Sequence, residues 1–248
     1  MSEDPGDLDR ATGYRAGFPH HDENLLMLGW YARRLAATLA ARGARSVLSL
    51  GIGHQVVSRR LGGLLGRGLD AYTIVEGSSV RIDELRGSGG LPEGVGVVHA
   101  WFEEYEPPRP VDAVEMGFVL EHVESPEAIL SRYAGFLAPG GMVAIAVPNA
   151  RALHRLVGQR AGLLDDLHRL SAHDLALGHR RYYDLGSLRR LVEGAGLRAG
   201  ACEGILLKCL TTEQLSRLGL DARVLEAFCE IGADYPEIAN AIYLEASR

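Results

Sequence analysis

Between Ser46 and Val147 the chain keeps switching between short apolar runs and stretches with helical spacing, and that alternation limits its fold more than any other feature. The runs Ser46–Leu50, Ala71–Val75, Val95–His99, Val111–Met116 and Met142–Val147 are too short for buried helices. They end at glycine, acid or proline, and read as five buried strands. Helices are expected from near Gln55 to Leu65, from Ser79 to Arg86, and from Ser125-Pro126-Glu127 to Pro139-Gly140-Gly141. That third start combines a hydroxyl cap, a proline in the first turn and an acid at the positive end of the helix dipole. Strands that alternate with helices predict a parallel sheet with right-handed crossovers. The fold class is therefore α/β: a doubly wound, mostly parallel sheet of Rossmann-like type, seven-stranded once the two strands of the C-terminal region are added.

The flanking regions complete the plan. From Asp22 to about Arg42, Leu25, Leu28, Ala32, Leu35 and Leu39 recur at helical spacing, with Gly43 placed to end the helix. After Pro148 the pattern breaks, and residues 149–184 read as a helical cap over the sheet's carboxyl edge. A helix follows from Leu185 to Glu193. Strands near Leu206–Leu210 and Ala241–Leu244 flank a helical stretch across 212–232, which offers a homodimer surface, although a monomer is equally allowed. All 248 residues form one domain: residues 1–43 as N-terminal lid and helix, 44–148 as cofactor-binding core, 149–184 as cap and 185–248 as the rest of the sheet.

Charge narrows the partners. A net charge of −6 gives no general attraction to nucleic acid or an anionic membrane. No apolar run approaches the roughly 18–20 residues of a membrane span. The acidic start MSEDPGDLDR is unlike a secretory signal. Cys202, Cys209 and Cys229, odd in number and without metal-like spacing, fit reduced thiols in a cytoplasmic protein.

The chemistry begins at Val47-Leu-Ser-Leu-Gly51-Ile-Gly53-His54, a strand entering a glycine turn that lets backbone approach a ligand. Glu76 ends the next strand about twenty residues on, where an acid can accept hydrogen bonds from both hydroxyls of a ribose. Together the two features favour a nucleoside-containing cofactor. A dinucleotide site needs a third glycine facing a pyrophosphate, and Gln55 stands there instead.

Further segments, in order, carry a resemblance to the class I S-adenosylmethionine-dependent methyltransferases across roughly residues 44–200, closest to the ubiquinone-biosynthesis-like group. They are Leu50-Gly-Ile-Gly53, Val75-Glu76, Val98-His-Ala-Trp-Phe-Glu-Glu104, Phe118-Val-Leu-Glu-His-Val123, Leu137-Ala-Pro-Gly-Gly141 and Gly178-His-Arg-Arg-Tyr-Tyr183 with Leu191-Val-Glu-Gly-Ala-Gly196. The resemblance implies S-adenosylmethionine as cofactor and S-adenosylhomocysteine as product. It implies cofactor contacts at Gly51, Gly53, Glu76, Gly77, Trp101, Phe102 and Gly117. Of Trp101 and Phe102, alternation along a strand would let only one reach the adenine. Two departures stand out: Ser49 where the family carries an acid, and Gln55 where it carries a glycine. Ser49 can still hydrogen-bond, more weakly than a carboxylate.

A sulfonium methyl is already activated, so the protein must align the acceptor and exclude water, and must supply a base if the acceptor is a hydroxyl. His122 is the base candidate; the competing reading makes it a cap for the helix at Ser125. Glu121 reads by default as an exposed loop acid. In the cap, His154 and Arg180, with Tyr182, are candidate substrate contacts, while most of the charges there read as solvated and paired with Asp165, Asp166 or Asp174. Lys208 is a lesser candidate. Tyr14, before the first helix, is placed to close the pocket, as the resemblance implies. The histidine spacings fit no metal pattern, so no metal is expected. The expected activity is O- or N-methyl transfer to a small, in one reading anionic, metabolite, with secondary metabolism as the setting hinted at by the Ala/Arg/Gly-rich composition. The alternatives are a carboxyl methyltransferase, a non-catalytic cofactor-binding protein, and, less favoured, an NAD-binding reductase. Nucleic acid as acceptor is not expected, since Glu115-Met-Gly-Phe118 stands where a base-flipping loop would be.

Overall fold

The computed structural model describes residues 20–248. Seven strands form one sheet in the order β3-β2-β1-β4-β5-β7-β6. They are β1 Ser46–Leu50, β2 Ala71–Glu76, β3 Gly96–His99, β4 Val111–Gly117, β5 Leu137–Pro148, β6 Arg198–Ile205 and β7 Ala241–Ser247. The first five pair in parallel, and β7 runs antiparallel between β5 and β6. Central strands have both faces covered, which is why their sequences are near-continuous apolar runs. Val114, Val143, Ala144 and Ile145 are all fully buried.

Nine helices lie among the described residues: α1 His21–Arg42, α2 Val56–Gly62, α3 Ser79–Gly87, α4 Pro126–Gly135, α5 Leu153–Arg160, α6 Ala172–Ala176, α7 Leu185–Gly194, α8 Thr212–Ser216 and α9 Ala222–Gly232. As expected, α4 is capped by Ser125, whose hydroxyl accepts from the Ala128 N–H. The inward stripe of α1 is Met27, Trp30, Tyr31, Leu35 and Leu39, so Leu25 and Leu28 lie at its edge.

Two strand expectations need correction. The run Leu206–Leu210 is irregular; the strand lies before it, at Arg198–Ile205. It is the edge strand with one half-exposed face, so its Arg, Ala and Gly residues give little apolar signal, and it stops where Leu206 adopts a φ of 62°. β5 begins earlier than expected, because Leu137 already pairs with Val111 before the register shifts between Val111 and Ala113. The cap contains α5 and α6 in otherwise irregular chain. No helix among the described residues is long and apolar enough to cross a membrane. The three cysteines are free thiols.

Candidate functional site

Parallel strands with right-handed crossovers send their following loops to one edge of the sheet, and a crevice forms where the strand order reverses, between β1 and β4. A cavity of about 380 Å³ lies there. Gly51, Gly53, Glu76, Gly77, Trp101, Phe102, Gly117 and His122 all line it. Residues from the turns after four different strands thus share one space.

The turn after β1 offers backbone. Gly51 and Gly53 take φ of 84° and 52°, values open to glycine without strain. Gln55 has a φ of 64°, so it keeps the turn without being glycine. Its side-chain oxygen accepts from Arg59 and Ser88 and so ties the turn to the end of α3. Glu76 is buried, and its two oxygens accept from the backbone N–H groups of Ile52 (2.9 Å) and Ser78 (2.9 Å). Those bonds fix the carboxylate across the crevice, and each oxygen keeps a second lone pair for a ligand hydroxyl. The group fits a ribose.

Trp101 and Phe102 both line the cavity. β3 stops at His99, and the two aromatics sit in a turn closed by bonds from Glu104 N and Tyr105 N to Trp101 O, so strand alternation does not apply.

The loop after β4 offers side chains. His122 does not cap α4, since Ser125 does; it sits in a turn with its N–H on Val119 O and its ring edge-on to His179, 4.8 Å between centroids. Burial pushes its pKa down to about 3, with His179 adding to the effect, so the imidazole is neutral at physiological pH. Glu121 is not an exposed loop acid. It is fully buried, neither carboxylate oxygen has a hydrogen-bond partner, and burial raises its pKa to about 7. One ligand atom each from Glu121, His122 and His179 lies within 4.8 Å of the others, a grouping invisible to spacing rules because His179 comes from the cap.

Sequence reasoning missed Glu115, which also lines the cavity and is 4 % exposed. Its Oε1 accepts from Gly117 N (2.7 Å) and from Tyr31 Oη (2.9 Å). The signal was an acid interrupting the apolar run Val111–Met116, a position where burial demands a reason.

The other candidates lie apart. His154 and Tyr182 do not line the cavity, and exposed Arg180 does not either; its backbone N–H binds Glu121 O. Tyr182 donates to Asp174 Oδ1 (2.9 Å) and lies under the Arg155 guanidinium, 4.2 Å from ring centroid to Cζ. Asp174 is buried rather than solvated, held by Ser171 and Tyr182 and 3.3 Å from His179 Nδ1. Burial lowers the pKa of His154 to about 3. Lys208 is closed off in a buried pair with Glu23, 2.6 Å, and contacts Thr212. Tyr14 lies outside the described residues. His20, the residue just before α1, stacks on His173 of the cap at 4.0 Å, and His21 faces His54 of the glycine turn at 5.5 Å.

Comparison with known proteins places this cavity in context. Solved structures that resemble the chain include the plantazolicin methyltransferase BpumL, solved with a triazolic desmethylPZN analog and SAH (TM-score 0.64, 13 % identity, 99 % of this chain and 92 % of that one). CcbJ from Streptomyces caelestis, a methyltransferase, aligns with TM-score 0.57 and 20 % identity over 88 % of each chain. An S-adenosylmethionine-dependent methyltransferase from Mesorhizobium loti gives TM-score 0.57 and 14 % identity over 86 % of this chain and 96 % of that one. At these identities the likeness establishes the fold. No curated protein matches the chain. The family described as "Methyltransferase domain" matches residues 20–200, spanning the glycine turn, Glu76, the loop after β4 and the cap, and the chain belongs to that family.

Proposed function

We propose that the protein is an S-adenosylmethionine-dependent methyltransferase that acts on the oxygen or nitrogen of a small metabolite. The observation that carries this reading is the single cavity lined by Gly51, Gly53, Glu76, Gly77, Trp101, Phe102, Gly117 and His122. When bound, the cofactor supplies a methyl group already activated on sulfur. The chain's own groups do the rest. Glu76 binds the ribose hydroxyls through its remaining lone pairs. The aromatic faces of Trp101 and Phe102 cover the adenine and keep water out. The open backbone of Gly51 and Gly53 lets the amino-acid end lie close to the sheet edge.

His122 faces the acceptor side. A neutral imidazole accepts a hydrogen bond from an acceptor O–H or N–H and so orients its lone pair. With a pKa near 3 it is a weak base. It therefore suits an acidic hydroxyl, such as a phenol, or an amine that loses its proton after transfer. The leaving group is a neutral thioether and needs no metal to depart. The desmethylPZN analog bound beside SAH in BpumL, a neighbour of the same fold, supports a small acceptor; the Ala/Arg/Gly-rich composition supports a setting in secondary metabolism. Tyr14, His154, Arg180 and Tyr182 remain candidate acceptor contacts. Carboxyl transfer is the second reading, but two of the arginines that would clamp a carboxylate are engaged. Arg155 donates to Leu167 O and Arg169 O, and Arg181 to Leu120 O, Val123 O and Glu124 O. We place the reaction in the cytoplasm, with no nucleic acid or membrane partner.

Calorimetric titration with S-adenosylmethionine, S-adenosylhomocysteine and NADH tests the reading. The two methyl-cycle ligands are expected to bind in the micromolar range, and Glu76→Ala to weaken them about 10–100-fold, as expected for a lost polar contact. Binding of NADH alone, or of no ligand, would overturn it.

A further inference from the structure

Glu115 is a buried carboxylate to which no base or ribose role has been assigned. It lies on β4 opposite Ser49 of β1, and in-register neighbours on adjacent strands project to the same face of the sheet. Its side chain turns towards the carboxyl edge, where Gly117 N and Tyr31 Oη hold Oε1. The charge is thereby carried to Gly117, across the crevice from Gly51 and on the wall of the same cavity. Among the described residues no lysine, arginine or histidine forms an ion pair with it. Hydrogen bonds from Gly117 N, Tyr31 and Ser49 offset part of its desolvation, and no cation offsets the rest. The other acids lining this cavity are placed differently: Glu76 is fixed by Ile52 and Ser78, while Glu103, Glu104 and Glu124 are exposed at its mouth.

The cofactor of the proposed reaction carries one primary ammonium, at its amino-acid end. Ser49, whose hydroxyl lies 3.1 Å from Tyr72 Oη, brings no charge to meet it. We propose that Glu115 receives the α-ammonium of S-adenosylmethionine, so that the acid absent at Ser49 is supplied from the neighbouring strand. This inference rests on the cofactor reading above. It accounts for three features together: an acid inside an apolar strand, a tyrosine from α1 aimed at it, and a glycine two residues on. A Cβ at position 117 would collide with both the Tyr31 ring and Glu115 Oε1.

The test compares two ligands with the same nucleoside. S-adenosylhomocysteine keeps the α-ammonium; 5′-methylthioadenosine lacks the whole amino-acid end. Glu115→Gln preserves shape and a hydrogen-bonding group, and its fold is checked by thermal melting. We expect it to weaken S-adenosylhomocysteine about 30-fold, the size of effect typical for hydrogen bonds to charged groups, and to leave methylthioadenosine within about twofold. Adding Ser49→Asp to that variant restores at least fivefold for S-adenosylhomocysteine alone, because a carboxylate returns to the same face. Equal losses for both ligands, or no loss for either, overturn the inference while leaving the cofactor reading intact. Wild-type protein that binds neither ligand removes both.

Discussion

The turns after β1 and after β4 face each other across one crevice and are built on opposite principles. The first exposes backbone. Gly51, Gly53 and Gln55 all take positive φ, and the sequence signature is a pair of glycines behind an apolar run. The second buries functional groups. Glu115 near the end of β4, and Glu121 and His122 just beyond it, are side chains driven into low-dielectric surroundings, where each acquires a shifted pKa. A backbone turn depends on what small residues permit, and it tolerates exchange if the dihedrals survive. A loop of buried polar groups depends on its neighbours, and any substitution that moves them propagates.

Gly117→Ala should therefore do the most damage, because it forces a methyl group between Tyr31 and Glu115 on the side-chain wall. A loss of about 1–3 kcal/mol is expected from overpacking, visible as a drop of about 2–12 °C in Tm, with cofactor binding impaired in parallel. An unchanged Tm would mean that this wall is as forgiving as the glycine turn.

Glu121→Gln sharpens the contrast through pH. Burial raises the folded-state pKa of Glu121 to about 7, above its unfolded value, so the folded protein holds that proton more tightly. The associated stability is present at low pH and is lost as pH rises through 7. Between pH 6.5 and 8 the wild type should lose about 1 kcal/mol relative to the variant in urea unfolding. The lowered histidines His54, His122 and His154 act in the opposite sense over this window, since their unfolded counterparts are still losing protons, but they are common to both proteins and cancel in the difference. A difference between wild type and variant that does not change with pH would assign the pH dependence elsewhere.

The smallest effect is expected on the backbone side. Gln55→Gly relieves a left-handed residue, worth about 1 kcal/mol, but gives up the bonds to Arg59 and Ser88. Stability should change by less than about 1 kcal/mol, and S-adenosylhomocysteine affinity by less than about threefold. A large loss of affinity would show that the Gln55 side chain, rather than the shape of the turn, matters to the ligand.

The same division explains what was legible in the sequence. The five parallel strands, the glycine turn and Glu76 follow from local rules: apolar runs, positive φ and an acid at a strand end. Glu121 was misjudged because its surroundings come from the cap, which lies more than fifty residues away in the chain. The burial of Lys208 escaped for the same reason, since its partner Glu23 lies on α1, whereas Asp174 is held by Ser171 only three residues before it and by Tyr182. Edge strand β6 escaped because a strand with one exposed face needs few apolar residues. Helix α1 showed its period, yet its inward face includes Trp30 and Tyr31, since a helix packed on the face of the sheet against β4 and β7 buries a broader stripe than the leucines alone mark out.

Strand β7 also sets a timetable. It is made after all the others, yet it fills the slot between β5 and β6, bonding to both. On a ribosome that adds roughly 5–20 residues per second, β5 waits several seconds with one edge bare, and β6 has nothing to pair with until β7 emerges. The parallel half, with its cofactor crevice, can assemble during that interval. Early arrival of the nucleoside cofactor would then steady a half-built sheet, and it would serve as a folding aid before it serves as a reagent.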